Sequence, residues 1–255
     1  MQNDSAIKTL TVAGVLCIIC SVLVSTAAVK LKPMQELNKK LDIKKNLLLS
    51  AGLLESPKAT KEQIEEAFKV VETKVIDLNT GDYVDVDPDS FDQMAAASDP
   101  KMNQEIPAED DYAKIGKREK QSKVYFIKDG SKVKNIILPV YGKGLWSTMY
   151  GFLVLEPDTT TVAGIGFYQH GETPGLGGEI DNPKWKSTWK GKKVYKEGLV
   201  PKLHVIKGAV EATTAEAEYK IDGLAGATLT SNGVTGMVKY WLGKSGFAPF
   251  LQKLR

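Results

Sequence analysis

The sequence has very little cysteine and histidine, which limits the chemistry available to it. Among 255 residues there are two of each. Cys17 and Cys20 both lie in one apolar run, so the rest of the chain can form no disulfide and has no thiolate nucleophile. His170 and His204 are far apart in sequence and lack neighbouring ligand patterns, which argues against a multi-histidine metal centre. We therefore predict no metal site and no catalytic side chain.

Common nucleotide-binding and hydrolase motifs are also absent. The sequence has no G-x-G-x-x-G and no P-loop, so it shows no recognisable dinucleotide or triphosphate site. Without a G-x-S-x-G elbow, nothing points to Ser–His–Asp catalysis. The net charge of +3 is too small to indicate a nucleic-acid partner. With 42% hydrophobic and 25% charged residues, the composition excludes whole-chain disorder and allows one large domain or two small ones.

One long apolar run is present near the N-terminus. Residues 9–29 carry no charge, and as a helix they would span about 31 Å, close to the roughly 30 Å hydrocarbon core of a bilayer. We predict a single transmembrane helix after a tail at residues 1–8, with a cleaved signal peptide as the alternative. Cys17 and Cys20 lie on one face of this helix. We interpret them as packing residues, the alternative being a metal shared with a partner subunit.

The charges around this run do not settle its orientation. Only Lys8 precedes the run, whereas several lysines follow it closely. By the positive-inside rule this distribution favours a cytoplasmic location for the rest of the chain. Because long domains translocate largely regardless of charge, the rule is weak here, and charge alone leaves the orientation open.

The pattern after the apolar run predicts an α+β fold, an antiparallel sheet flanked by helices. A helix is expected to stop near Gly52, and a second helical segment to open at Ser56-Pro57. The apolar stripe of that second segment consists of Ile64, Phe68, Val71 and Val75. Strands are predicted at 123–127, 135–140, 151–155, 161–169 and 203–206, with a final amphipathic helix at 233–242. Asp129-Gly130 predicts a hairpin between the first two strands.

Two segments have strongly one-sided charge. Residues 81–111 contain ten carboxylates and one lysine. Residues 85–89 resemble the start of a calcium loop, but Ser90 stands where glycine is needed and Ala96 where the bidentate glutamate is needed, so we predict a solvated acidic loop. Residues 184–207 contain eight lysines and one glutamate. We interpret them as a solvated surface, with a phosphate-binding or partner-docking face as the alternative.

Two glycine-rich stretches are the best candidates for a binding site. Residues 170–178 contain four glycines after an apolar strand, which permits close backbone approach, although a wide turn would explain them equally well. Residues 222–233 precede the final predicted helix. On physical grounds Ser231 or Asn232 would be the N-cap of that helix, and the preceding residues a tight loop. The same geometry could bind an anion through helix N-terminal amides.

The second stretch resembles a known modification motif. Residues 222–228, Asp-Gly-Leu-Ala-Gly-Ala-Thr, resemble the flavinylation motif D-x-x-(S/T)-G-A-T, with Ala225 where Ser or Thr is usual. The resemblance extends to residues 144–151 and 170–177 and covers essentially the whole chain. It is to the NqrC family, which belongs to sodium-translocating NADH:quinone reductases. The related RnfG component of Rnf complexes shares these motifs but is typically shorter.

The resemblance implies FMN attached covalently to Thr228 through a phosphoester, in an FMN-binding region at 121–255 that follows a helical and acidic-loop region at 30–120. Thr230, Ser231 and nearby N–H groups could bind the phosphate oxygens. Asp222 corresponds to the acid of the motif and would act during attachment. Lys207 is a further candidate contact to phosphate or ring.

The resemblance also implies contacts to the flavin ring. Trp146 and Leu176 are candidates for its apolar faces. Ser147, Glu172 and Thr173 are candidates for its polar edges. The other members of the predicted site are Gly177, Leu224, Gly226, Ala227 and Leu229.

The implied function is electron transfer by a subunit that has no complete activity alone. Electrons would pass through the FMN between partner subunits, and the complex would handle NADH, quinone and Na⁺. A flavin transferase acting outside the cytoplasmic membrane would attach the FMN, which places the chain in the inner membrane, in contact with lipid, with a periplasmic domain. One alternative is an Rnf-type subunit. The other is a membrane-anchored structural or binding module in which residues 222–233 only cap a helix.

Overall fold

The first helix is long and continuous. A computed structural model describes residues 5–255, in which α1 (Ala6–Ser50) has 45 residues. It extends beyond the predicted transmembrane run of 9–29 at both ends. Of the predicted tail at 1–8, the first four residues lie outside the described part of the chain.

The chain forms two compact units, the first ending at Ile43 and the second spanning Lys44–Arg255. In its described residues the first unit consists of Ser5 and the part of α1 up to Ile43, and the apolar window of α1 has no buried side chains. It is long and apolar enough to cross a membrane, as predicted. Among residues 5–255 it is the one helix that meets this criterion.

The last turns of α1 belong to the second unit. The helix continues through Pro33, and Leu47 and Leu48 near its end are almost fully buried. Gly52 has a φ of +70°, and the N–H of Leu53 donates to the carbonyl of Leu48 at 2.9 Å. These are features of a Schellman C-cap, so the predicted stop near Gly52 is confirmed.

The second helical segment is shorter than predicted. Helix α2 (Lys61–Phe68) begins after Thr60, which forms a capping box with Gln63, not at Ser56-Pro57. The next element is a strand, β1 (Val71–Asp77). The last two valines of the predicted helical stripe therefore lie in a strand, and that part of the prediction is wrong.

The other elements follow in chain order. The strands are β2 (Asn103–Glu105), β3 (Lys117–Glu119), β4 (Gln121–Asp129), β5 (Lys132–Lys143), β6 (Thr148–Leu155), β7 (Val162–Gln169), β8 (His204–Val205) and β9 (Lys220–Ile221). The helices are α3 (Gln93–Ser98), α4 (Pro183–Ser187), α5 (Thr228–Trp241) and α6 (Ala248–Leu254), with 3₁₀ turns at Gly177–Asp181 and Ala217–Tyr219.

The main sheet has five antiparallel strands in the order β1-β4-β5-β6-β7. The predicted hairpin joins β4 to β5, and Gly130 in its turn has a φ of +60°. Strands β2 and β3 form a small antiparallel pair, and β8 and β9 form a short parallel pair. The predicted α+β class is confirmed, with an apolar N-terminal helix, an antiparallel sheet and flanking helices.

The main sheet is covered on both faces. In β6 the residues from Gly151 to Leu155 are consecutively buried, which requires cover on each side. Helix α5 packs on β5, where the indole N–H of Trp241 donates to the carbonyl of Tyr141 at 2.6 Å. The opposite face receives Ser50 at the end of α1, which packs against Gly166. The main sheet is thus held between α5 on one face and the end of α1 on the other.

Candidate cofactor site

Three loops that are distant in sequence meet at one end of the sheet. They are residues 144–147 between β5 and β6, residues 170–176 after β7, and residues 222–227 between β9 and α5. A Cβ at Gly144 would lie 2.6 Å from Glu172 Oε1, and a Cβ at Gly226 would lie 3.0 Å from Leu176 Cδ2. The three stretches predicted to form one site are thus brought together.

Glu172 is the common anchor of this arrangement. Its Oε1 accepts from the N–H groups of Trp146 (2.9 Å) and Ser147 (3.2 Å), and its Oε2 accepts from the N–H of Leu145 at 3.1 Å. The hydroxyl of Thr230 in α5 also donates to Oε2, at 2.6 Å. One carboxylate therefore ties the first loop to the second and both to α5.

The Glu172 carboxylate is held in its charged form. The residue is 5% exposed, and burial by itself raises a carboxyl pKa. The hydrogen bonds from Thr230 and the three backbone N–H groups outweigh burial, so the pKa of Glu172 lies below its ordinary value. The site therefore contains a buried, fully hydrogen-bonded anion.

The glycines of the second loop allow this close packing. A Cβ at Gly177 would lie 2.5 Å from Thr230 Oγ1 and 2.8 Å from Glu172 Oε2. A Cβ at Gly171 would lie 3.3 Å from Ser147 Oγ, which accepts the N–H of Gly171 at 2.6 Å. Close approach, and not only a wide turn, therefore accounts for the glycine-rich sequence.

A second hydrogen-bonded group supports the same loop. Nδ1 of His170 lies 3.2 Å from the backbone N of Glu172, and Nε2 lies 2.8 Å from Asp181 Oδ2. The carboxylate of Asp181 raises the pKa of His170 above its ordinary value. Neither residue was among the predicted site residues, because Asp181 comes from a different element and only the fold places it beside the loop.

Helix α5 begins earlier than the sequence predicted. Its N-cap is Ala227, and its first residue is Thr228. The predicted final helix is confirmed over 233–241, whereas its predicted start and the predicted N-caps, Ser231 and Asn232, are wrong. Ala227 has no side-chain oxygen, and no side-chain cap is formed. The N–H groups of the first turn, with the positive end of the helix dipole, are thus available to an anion.

The hydroxyl groups near this helix start differ in accessibility. Thr228 is exposed, whereas Thr230 and Ser231 are 1% and 5% exposed. The Thr230 hydroxyl donates to Glu172, and Ser231 Oγ accepts from the N–H of Leu224 at 3.3 Å. Both buried hydroxyls bond to protein groups, so their contact with a phosphate stays a prediction, while Thr228 faces solvent.

Exposed apolar side chains lie on the first two loops and on the first turn of α5. Trp146 is 67% exposed, Leu229 59% and Leu176 45%. Leu145, which the prediction omitted, is 46% exposed on the same loop as Trp146. The sequence signal for Leu145 was its position next to Trp146 inside the stretch 144–151. Exposed apolar side chains grouped around a polar anchor are typical of a ligand or partner site.

The other predicted site residues have structural roles or stand at the rim. Asp222 accepts the N–H of Val210 on Oδ1 at 2.9 Å, and its carbonyl accepts the indole N–H of Trp185 at 2.8 Å. Lys207 is exposed in the turn that packs against residue 223, and Thr173 is exposed on the second loop. Asp222 therefore fixes the third loop, and a contact of Lys207 or Thr173 with a cofactor stays a prediction.

The two charged segments form no metal site in the described residues. Across residues 5–255 no group of three or more His, Cys, Asp and Glu side chains is arranged to hold a metal ion. The acidic segment contains the short elements α3 and β2. In the lysine-rich segment the aromatic residues Trp185, Trp189 and Tyr195 are buried, while most of the lysines are exposed.

Several known proteins are similar to the chain in sequence or in structure. Residues 144–243 match the FMN-binding domain family. The full chain is 48% identical to the C subunit of the Na(+)-translocating NADH-quinone reductase of Pseudomonas aeruginosa, covering 98% of that protein. It is 44% identical to the corresponding subunit of Yersinia pestis, covering 95% of it. The crystal structure of Shewanella oneidensis NqrC matches 85% of this chain and 98% of its own, with a TM-score of 0.76 and 32% identity.

Proposed function

The chain belongs to the NqrC family of Na(+)-translocating NADH-quinone reductase subunits, and from this premise we propose that it carries FMN on Thr228 and relays electrons between partner subunits. As a member of that family it is a subunit of an oxidoreductase and translocase complex, and the other subunits are its partners. It contains an FMN-binding domain.

The accessibility of Thr228 is the observation that carries the proposal. Its hydroxyl lies on the first residue of α5, exposed and next to helix N–H groups without a side-chain cap. Attachment requires a hydroxyl that a flavin transferase can reach, and a phosphate fits the positive end of a helix. The neighbouring hydroxyls of Thr230 and Ser231 are buried and hydrogen-bonded. Thr228 therefore combines access with an anion-binding position.

The three loops supply the surroundings that a flavin needs. FMN supplies the redox chemistry, and the protein binds and orients it. Trp146, Leu176 and Leu229 offer exposed apolar surface for a flat ring. Glu172 holds the loops that carry these side chains in fixed positions. Its buried negative charge also makes additional negative charge nearby less favourable, which would lower the reduction potential of a bound flavin.

Mass spectrometry of the intact chain tests the covalent link. We expect chain produced together with its flavin transferase to gain the mass of FMN less one water. Thr228→Ala should lose this mass completely, whereas Thr228→Ser keeps a hydroxyl and should retain part or all of it. Unmodified wild-type chain under these conditions, or full modification of Thr228→Ala, would contradict the proposal.

We further propose that the second compact unit is periplasmic. The apolar helix fits a single-pass anchor, and the proposed flavin transferase acts on the outer side of the inner membrane. The absence of cysteine after residue 20 avoids mispaired disulfides in an oxidising compartment. Protease added to intact spheroplasts should digest residues beyond the helix. Protection in spheroplasts with digestion in inverted vesicles would place this unit in the cytoplasm instead.

A further inference from the structure

The hydrogen bonds of His170 specify one tautomer of its ring. A backbone N–H can only donate, so Nδ1 must be unprotonated to accept from the N–H of Glu172. The single proton of a neutral imidazole then lies on Nε2, where it donates to Asp181 Oδ2. The side chain is 16% exposed, so water competes little for either nitrogen. Neutral His170 satisfies both contacts at once.

We propose that His170 is a positioning residue, which in its neutral Nε2–H form links Asp181 to the backbone of Glu172 and so fixes the loop that shapes the cofactor site. Residues 170, 171 and 172 each make a hydrogen bond that fixes this loop. His170 accepts from the amide of Glu172, and Ser147 accepts from the amide of Gly171. The Glu172 carboxylate accepts from the first loop and from α5. Of the three bonding groups only the imidazole of His170 has an ordinary pKa close to neutral.

Protonation of His170 should break one of its two contacts and keep the other. In the imidazolium both nitrogens are donors, so Nδ1–H would face the N–H of Glu172 and the bond would be lost. The hydrogen bond and charge of Asp181 favour the cation, and so does the charge of Glu172, while burial and Lys186 of α4 oppose it. The pKa of His170 therefore lies above its ordinary value of 6.5. Mild acidification should accordingly release the amide of Glu172 without unfolding the chain.

Nuclear magnetic resonance of the histidines tests the tautomer directly. The second histidine is an internal contrast, because Nδ1 of His204 lies 2.8 Å from the carbonyl of Lys202 and must carry a proton to donate to it. In full-length chain with ¹⁵N-labelled histidine at pH 8, we expect a protonated Nε2 for His170 and a protonated Nδ1 for His204. A protonated Nδ1 in neutral His170 would overturn the proposal.

Two variants separate the two contacts of the ring. In His170→Asn the side-chain oxygen can take the place of Nδ1 and accept from Glu172, but the side chain is too short to reach Asp181. In His170→Gln the side-chain amide can take the place of Nε2 and donate to Asp181, but nothing replaces Nδ1. If His170 acts by holding the amide of Glu172, the asparagine variant should behave like wild type and the glutamine variant should not.

Hydrogen exchange on full-length chain without flavin gives the readout. At pH 8 the peptide containing Glu172 should exchange about tenfold faster in His170→Gln than in wild type or His170→Asn. Lowering the pH below the His170 pKa should raise exchange, corrected for intrinsic rate, in wild type but not in His170→Asn. Equal protection in all three proteins at both pH values would refute the proposal.

The flavin readout of this inference rests on the proposed function. In flavin-loaded chain, the FMN midpoint potential of His170→Gln should differ from wild type, while that of His170→Asn should stay close to it. If no FMN attaches to Thr228, the proposed function fails, but the exchange and tautomer measurements still decide the role of His170. If FMN attaches and both variants exchange alike, the inference fails alone.

Discussion

The carboxylate of Glu172 accepts four hydrogen bonds, three from one loop and one from α5, while almost no solvent reaches it. A buried charge is costly unless such donors surround it, so the residue and its donors depend on one another. The first two loops and α5 therefore form one hydrogen-bonded unit, in which Glu172 accepts most of the connecting bonds.

Replacing this carboxylate by an amide should destabilise the chain. In Glu172→Gln an NH₂ group would face backbone N–H donors, leaving at least one buried donor without an acceptor and weakening the remaining bonds. We expect a loss of about 2–3 kcal/mol in the free energy of unfolding. Chemical denaturation followed by circular dichroism measures it.

The neighbouring Glu179 provides a matched control. It is half-buried on the adjacent 3₁₀ turn and accepts one side-chain bond, from Asn182 at 2.7 Å. Glu179→Gln should lower the free energy of unfolding by less than about 1 kcal/mol. If both variants lost the same stability, Glu172 would not be the anchor of the site.

Packing between elements limits which side chains β7 tolerates. Gly164 and Gly166 point to the same face, where the end of α1 crosses the strand. A Cβ at Gly164 would overlap the backbone carbonyl of Ser50, whereas a Cβ at Gly166 would overlap the Ser50 hydroxyl. The first obstacle cannot move without shifting the helix, and the second can be removed by mutation.

This difference predicts different rescue behaviour. Gly164→Ala and Gly166→Ala should each lower the free energy of unfolding by about 1–3 kcal/mol through overpacking. Adding Ser50→Ala should recover much of the loss for Gly166→Ala and little of it for Gly164→Ala. Double-mutant cycles from denaturation curves measure the coupling. Equal rescue of both variants would contradict the packing described.

The elements that the sequence predicted well are those whose local pattern and tertiary role agree. The β4–β5 hairpin has apolar strands and an Asp-Gly turn, and both signals favour the same structure. Strand β1 was mistaken for helix because Ile64, Phe68, Val71 and Val75 mimic a helical stripe. Pairing with β4 along the whole of β1 decided its conformation, and no local window contains that information.

The site was predictable in outline but not in its contacts. Resemblance identified the three loops, and the structure brings them together. The start of α5 was misplaced because Ser231 and Asn232 are strong N-cap residues. In the fold, the Ser231 hydroxyl instead accepts from Leu224 across the loop. The His170–Asp181 contact depends on a 3₁₀ turn packing beside the loop, which neither residue type signals by itself.

At the scale of the whole molecule, a second buried carboxylate should control how stability varies with pH. Glu119 is fully buried and accepts from the hydroxyl of Tyr141 and the amide of Gln93, each at 2.6 Å. Burial raises the pKa of Glu119 from 4.5 to about 7, although these hydrogen bonds and Arg118 oppose the change. The folded chain therefore binds this proton more tightly than the unfolded chain does.

The sign of the effect follows from proton linkage. Between pH 4.5 and about 7 the folded state holds the proton and the unfolded state has lost it, so this contribution to stability decreases as pH rises. Glu119→Gln removes the titration, since the Tyr141 hydroxyl can accept from an amide as well as donate. The free energy of unfolding of the variant minus that of wild type should increase by on the order of 3 kcal/mol from pH 4.5 to pH 8. Parallel stability curves for the two proteins would show that Glu119 does not titrate as described.

We expect the flavin to be attached to one exposed threonine, Thr228, at the start of α5. Trypsin should release residues 221–239 as one peptide, whose hydroxyl groups belong to Thr228, Thr230, Ser231 and Thr235. Tandem mass spectrometry of this peptide, from chain produced with its flavin transferase, locates the attached group. FMN should be found on Thr228 alone. FMN on any of the other three hydroxyls, or an unmodified peptide, would contradict it.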